Sequence, residues 1–169
     1  MLKAIIYKTN TGHTLEYAKM LSKDLDIPAY DIKELKKFKE CLKIDDEIIY
    51  MGWVCAGRIS GLTKINNGYK IVCTIAVGAY PDSKENFETL RIGNNINDNN
   101  KLFYIRGGIN LEKLNPLLKK IFKIVGRKLE KSDKEYNREL ANMFIKGKSF
   151  VRKENLDKIE KYLKKIKDK

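Results

Sequence analysis

The sequence predicts one α/β domain over residues 1–169, a doubly wound sheet of five parallel strands with helices on both faces. Three observations lead there. Short apolar runs alternate with amphipathic helical stretches. The runs are continuous, as in strands buried on both faces, where a sheet with one wet face would alternate polar with apolar. The chain of 169 residues, 43% of them apolar, fills one core and is short for two.

The first strand is read at Ala4-Ile5-Ile6-Tyr7 and a weaker second at Ala29-Tyr30-Asp31-Ile32. The third is Ile48-Ile49-Tyr50-Met51, the fourth runs from Ile71 to Val77, and the fifth is Leu102-Phe103-Tyr104-Ile105. Leu15, Ala18, Leu21, Ser22 and Leu25 mark one face of a helix over about 13–25. Leu111, Leu114, Leu118, Ile121, Phe122 and Val125 mark a second stripe, and Leu156, Ile159, Leu163 and Ile166 a third. Strands alternating with helices require βαβ crossovers. Ser60 to Tyr69 is short for a covering helix, so that face is expected to be thin, and Gly93 to Asn100 reads as a polar turn. The charged stretch Arg127 to Lys148 has Leu140, Met143 and Phe144 as its apolar side.

Charge divides the chain unevenly. The net charge is +13, of which +12 lies in residues 101–169, and the basic helical part is read at about 127–169. Such a face suits an acidic redox partner protein or an anionic membrane surface, with nucleic acid ranked below both. The competing reading is a Lys-, Asn- and Ile-rich compositional bias with a solvated lysine face. No apolar run approaches the 18 or so residues of a membrane span, and Met1-Leu2-Lys3 does not read as a signal peptide. The expectation is a soluble, cytoplasmic protein. Cys41, Cys55 and Cys73 have no C-x-x-C spacing, so no disulfide framework, zinc site or iron–sulfur cluster is expected. Redox chemistry here would need an organic cofactor.

After the first strand comes Lys8-Thr9-Asn10-Thr11-Gly12-His13-Thr14, leading directly into the helix. Free backbone N–H groups and the helix dipole favour an anion at such a place, and threonine hydroxyls add donors. Neither G-x-x-x-x-G-K-[ST] nor G-x-G-x-x-G is present, and a monophosphate is the better-sized ligand. The pattern T-x-T-G-x-T after a first parallel strand resembles the flavodoxin phosphate loop. In a sheet of order 2-1-3-4-5 the loops after the third and fourth strands complete the site. These are Gly52-Trp53-Val54-Cys55-Ala56-Gly57-Arg58-Ile59 and Gly78-Ala79-Tyr80-Pro81-Asp82, each with glycine and an aromatic.

Cys55-Ala56-Gly57-Arg58-Ile59 is similar to a loop of the flavodoxin-domain group of the menaquinone-dependent protoporphyrinogen dehydrogenase. Phe103-Tyr104-Ile105-Arg106-Gly107-Gly108-Ile109-Asn110-Leu111-Glu112-Lys113-Leu114 resembles that group's fifth strand and following helix start. The likeness covers about residues 1–125. Short-chain flavodoxins usually have Gly-Asp followed by Tyr in the third loop and are acidic, whereas this chain has Gly78-Ala79-Tyr80 and is basic.

The resemblance implies FMN as cofactor. Thr9, Asn10, Thr11, Gly12, His13 and Thr14 would take its phosphate. Trp53, Val54, Cys55, Ala56, Gly57 and Arg58, with Gly78, Ala79 and Tyr80, would face the isoalloxazine and ribityl. Tyr80 or Trp53 is expected to cover the ring, and Arg58 lies either near flavin N1 or on the surface. His13, the sole histidine, is expected to be neutral and to neighbour the phosphate, with general acid/base work the lesser reading. Cys55 is read as a buried, inert thiol rather than a redox group. No catalytic residue is assigned. Two functions fit: oxidation of a flat reduced organic substrate with transfer to a quinone or other acceptor, or one-electron carriage between redox proteins. A flavin-free scaffold for an acidic partner ranks third.

Overall fold

Ile5, Ile6, Ile48, Ile49, Tyr50 and Met51 are all fully buried, although consecutive strand residues point to opposite faces. Both sides of their sheet must therefore be covered. The computed structural model describes residues 1–65, 68–97 and 100–167. In chain order the elements are β1 (Leu2–Lys8), α1 (His13–Leu25), β2 (Ala29–Asp31), α2 (Leu35–Cys41), β3 (Glu47–Cys55), β4 (Arg58–Ile59) and β5 (Lys70–Gly78). There follow α3 (Lys84–Gly93), β6 (Lys101–Arg106), β7 (Gly108–Ile109), α4 (Pro116–Leu129), α5 (Glu135–Lys146), β8 (Lys148–Ser149) and α6 (Asp157–Lys167).

The main sheet runs β2-β1-β3-β5-β6, every pair parallel, which is the predicted 2-1-3-4-5 order. The short β4 turns back antiparallel on the end of β3. One face of the sheet buries Ile6, Ile48, Tyr50, Ala76 and Leu102 against Ile32, Leu62 and Leu90. The other buries Ile5, Ile49, Met51, Ile75 and Ile105 against Tyr17 and Leu21 of α1 and Leu156, Ile159 and Leu163 at the C-terminus. Tyr17 is fully buried, and its hydroxyl donates to the Arg106 carbonyl at 2.6 Å.

A separate cluster joins α4 to α5. Leu140, Met143 and Phe144 are buried there, as their apolar pattern predicts, with Leu118 and Phe122 packed on them. The Phe122 and Phe144 rings stack with centroids 4.8 Å apart. A two-stranded ribbon of β7 and β8 ties this pair to the sheet.

Several expectations are corrected. The stripe Leu111 to Val125 is not one helical face: Leu111 lies in a 3-10 turn, and α4 starts with Pro116 behind Asn115, whose side chain accepts from the Leu118 N–H. Because α4 packs on α5 and not on the sheet, Ile121 and Val125 face outward, 43% and 37% exposed. Ile32 sits in a 3-10 turn beyond β2. Neither α2 nor α3 stands out in the sequence. The former has seven residues, and the latter buries only Leu90 and so shows no stripe. Between Ser60 and Tyr69 there is a single 3-10 turn, Leu62–Lys64, as the short spacing suggests, with Asn66 and Asn67 outside the described residues. Of the Gly93–Asn100 turn, Gly93 ends α3, and Asp98 and Asn99 lie outside the described residues. Among the described residues no helix is long and apolar enough to cross a membrane.

Candidate functional site

At the carboxyl end of β1 the chain needs a left-handed residue to enter α1. Gly12 supplies it with φ 107°. Its N–H donates to Thr9 Oγ1 at 3.1 Å, which folds the loop back on itself. Thr11 Oγ1 lies 3.2 Å from His13 Nδ1. Thr14 is buried in the first turn of the helix. A methyl group on Gly12 would lie 3.1 Å from Lys113 Nζ, so an ammonium group stands beside the helix N-terminus. Nothing in the sequence ties Lys113 to this loop, since it arrives from a 3-10 turn a hundred residues away.

The loop predicted after the third strand is a tight hairpin. Ala56 and Gly57 both have positive φ, 48° and 73°, the conformation a two-residue antiparallel turn requires. Asn94 braces it, its Oδ1 accepting from the Ile59 N–H at 2.7 Å and its Nδ2 donating to the Gly57 carbonyl at 3.0 Å. Arg58 donates to the Gly93 carbonyl at the end of α3. Its guanidinium is thus engaged at the C-terminal end of α3.

At the end of β5 a methyl group on Gly78 would fall 2.3 Å from the Tyr104 hydroxyl, so this ring lies directly on glycine backbone. The Tyr104 hydroxyl donates to the Tyr80 carbonyl at 2.7 Å. Arg106 reaches the Ala79 carbonyl at 3.4 Å and Glu139 Oε2 at 3.3 Å, with its guanidinium 3.7 Å from the Phe150 ring centre. The β5 loop is thereby held from two sides.

The three loops meet around a cleft of about 370 Å³. Thr9, Asn10, Thr11, His13 and Thr14 line one end, and Trp53, Val54, Cys55, Ala56, Gly57, Gly78, Ala79 and Tyr80 line the middle. Of the residues singled out from sequence, Gly12 and Arg58 do not line the cleft, and Arg58 is bonded to Gly93 instead. Cys55 is exposed, against the expectation of a buried thiol, because it stands at the hairpin end of β3; the buried cysteine is Cys73, whose thiol is pushed up to about 12 by burial. Asn86, Thr89 and Leu90 of α3 form a further side. Tyr104, Ile109, Leu114, Phe122 and Phe144 add an apolar wall. Tyr104, Ile109 and Leu114 lie within the Phe103–Leu114 stretch that carries the family resemblance, though nothing in it marks them as lining a site. Phe122 and Phe144 carry only a helical stripe, which reads as core.

His13 is buried, and its pKa is lowered, first by loss of solvent and then by the charge of Lys113, with Glu16 opposing. It is neutral at pH 7 as expected, but burial rather than the helix dipole leads. The unfolded chain then takes up the proton more readily than the folded one. Stability contributed by neutral His13 is present above the ordinary value of 6.5 and is lost as pH falls below it toward the lowered folded value. An imidazole NMR titration is expected to find the folded value below 6.5, and His13→Gln is expected to remove this part of the stability loss.

A search of the curated proteins returned no match to this chain. A family model described as flavodoxin domain matches residues 4–137, the whole sheet and the cleft loops together with α4. Such domains typically bind FMN. Given that match, the 2-1-3-4-5 sheet and three loops converging at its carboxyl edge, the chain belongs to the flavodoxin domain family.

Proposed function

We propose that the cleft holds FMN and that the protein is a cytoplasmic FMN-dependent oxidoreductase of the kind the protoporphyrinogen dehydrogenase resemblance implies. A flat reduced organic substrate would give up two electrons and two protons, and a quinone would take both to become a quinol. The flavin, when bound, supplies the two-electron chemistry. The chain's own residues bind and orient. The threonine loop and the first N–H groups of α1 suit a phosphate dianion, and Lys113 adds a compensating charge beside Gly12. Tyr80 and Trp53 are the aromatics at the strand ends that suit the ring's faces or edge. Gly57 lets backbone approach it, while the missing side chain of Gly78 makes room for Tyr104.

The observation that carries this reading is the continuity of the cleft, from the phosphate-sized loop to the apolar wall of Ile109, Leu114, Phe122 and Phe144. At about 370 Å³ it has the size of a small-molecule site. A carrier needs only an exposed flavin edge, and a wall of this kind suits an apolar reactant. The carrier reading is favoured by Tyr80, 44% exposed at the rim, where a partner protein could reach the ring. The test is turnover of the FMN-loaded protein with a reduced tetrapyrrole and a quinone. Multiple turnovers support the oxidoreductase. Bound flavin with no turnover, but electron exchange with other redox proteins, supports the carrier.

A further inference from the structure

We propose that α4 is a membrane-docking helix, which lays its outward apolar ridge on the interface of a bilayer containing anionic lipid. The helix has two apolar sides. Leu118, Phe122 and Leu129 pack toward α5. On the other side Leu117, Ile121 and Ile124 follow at spacings of four and three residues and are 69%, 43% and 49% exposed, with Val125 beside them. At about 100° per residue these side chains share one face.

Charge selects the occupant. Between Pro116 and Leu129 there are five cations, Lys119, Lys120, Lys123, Arg127 and Lys128, and no acidic residue. Lys120 and Arg127 flank the ridge, Lys128 continues its line one turn beyond Ile124, and all three are exposed, so their stems can lie along the apolar surface while the charged ends reach lipid phosphates. A second copy of the chain would set these cations against an equal set. An acidic protein would satisfy the lysines, but protein contacts favour aromatic and polar anchors over a bare aliphatic ridge. A basic helix with an aliphatic face fits a lipid interface. The surplus of +12 in residues 101–169 adds long-range attraction to an anionic surface. The sequence directs attention to the lysines of α6. There Ile159 and Leu163 are packed against the sheet, leaving Lys158, Lys161, Lys164 and Lys165 exposed with only the half-buried Ile166 beside them, and the side chain of Lys167 lies outside the described residues.

The inference stands apart from the flavin reading. If both hold, docking sets the inner side of α4, where Phe122 lines the cleft, about one helix diameter of roughly 10 Å from the bilayer. A membrane-soluble acceptor would then have a short path.

Co-sedimentation with vesicles of phosphatidylcholine, with and without phosphatidylglycerol, tests the proposal. Binding is expected only when phosphatidylglycerol is present. The variant Leu117→Gln/Ile121→Gln/Ile124→Gln should weaken it by about tenfold or more, with circular dichroism and unfolding midpoint unchanged because these positions are exposed. Lys158→Gln/Lys161→Gln/Lys164→Gln/Lys165→Gln should weaken it less. As a second readout, tryptophan emission from Ile121→Trp should shift to the blue on adding the anionic vesicles. Failure to bind at low salt, binding unaffected by the ridge variant, no shift at position 121, or a dimer by light scattering that the ridge variant dissolves would each overturn the proposal.

Discussion

Asn10→Asp/Thr11→Asp is expected to weaken FMN binding by at least about 100-fold while leaving the protein as stable as before or slightly more so. The two signs differ for a physical reason. Both positions line the loop end of the cleft, where a phosphate dianion would meet two new negative charges. Two unit charges about 6 Å apart interact by about 2.8 kcal/mol at an effective dielectric constant near 20. Each carboxylate alone thus supplies the roughly 2.7 kcal/mol that a 100-fold change in affinity requires. Without ligand, the same carboxylates stand beside the N-terminus of α1, where acidic groups stabilise a helix by roughly 0.3 to 1 kcal/mol. Asn10 is exposed and Thr11 half-buried, so neither substitution takes a charge fully out of water. Flavin fluorescence titration with a parallel urea unfolding curve reads both signs. Retained affinity would remove the phosphate from this loop. Lost affinity with lost stability would mean the loop had simply unravelled.

Gly108→Ala is expected to cost about 3 kcal/mol or more of stability. Gly108 has φ 128°, a region L-residues rarely enter, and a methyl group there would fall 2.0 Å from the Lys148 carbonyl oxygen. That oxygen belongs to β8, paired with β7, so relief requires the ribbon to separate. The Phe150 N–H bond to the Gly107 carbonyl, at 2.8 Å, lies next to the same clash. Because the ribbon joins α5 to the sheet, the cleft's apolar wall should loosen as well, and FMN affinity should fall with stability. Gly68→Ala is the control: among the described residues nothing lies within 4 Å of the added carbon, and its φ is not left-handed, so the change should stay within about 0.5 kcal/mol. Equal unfolding midpoints for the two variants would mean that the β7–β8 pairing carries no stability.

The central strands are legible in the sequence because they are buried on both faces. Ile48 to Met51 can be continuous and apolar only where no side meets water. The three loops are legible because each is contiguous and follows such a strand. What escapes the sequence is what the topology assembles. Tyr104 reaches the cleft from the neighbouring strand across Gly78, Asn94 braces a hairpin 35 residues away, and Lys113 returns to Gly12. No spacing rule connects these pairs. The stripe from Leu111 to Val125 fails for another reason. Its residues are apolar on two sides, and periodicity alone does not say which side meets protein. Cys55 stands in an apolar run that continues past the sheet into an exposed hairpin, so its neighbours in sequence suggest a burial the fold does not give it.

The central claim is that the cleft binds FMN through its phosphate at the Thr9–Thr14 loop, and comparing FMN with riboflavin measures this most directly. The two ligands share the ring and ribityl chain and differ in the phosphate. Titrated into the flavin-free protein, FMN is expected to bind at least about 100-fold more tightly than riboflavin, since two charge-assisted hydrogen bonds are worth about 3 kcal/mol or more. Equal affinities for FMN and riboflavin, or no binding of either, would contradict the account.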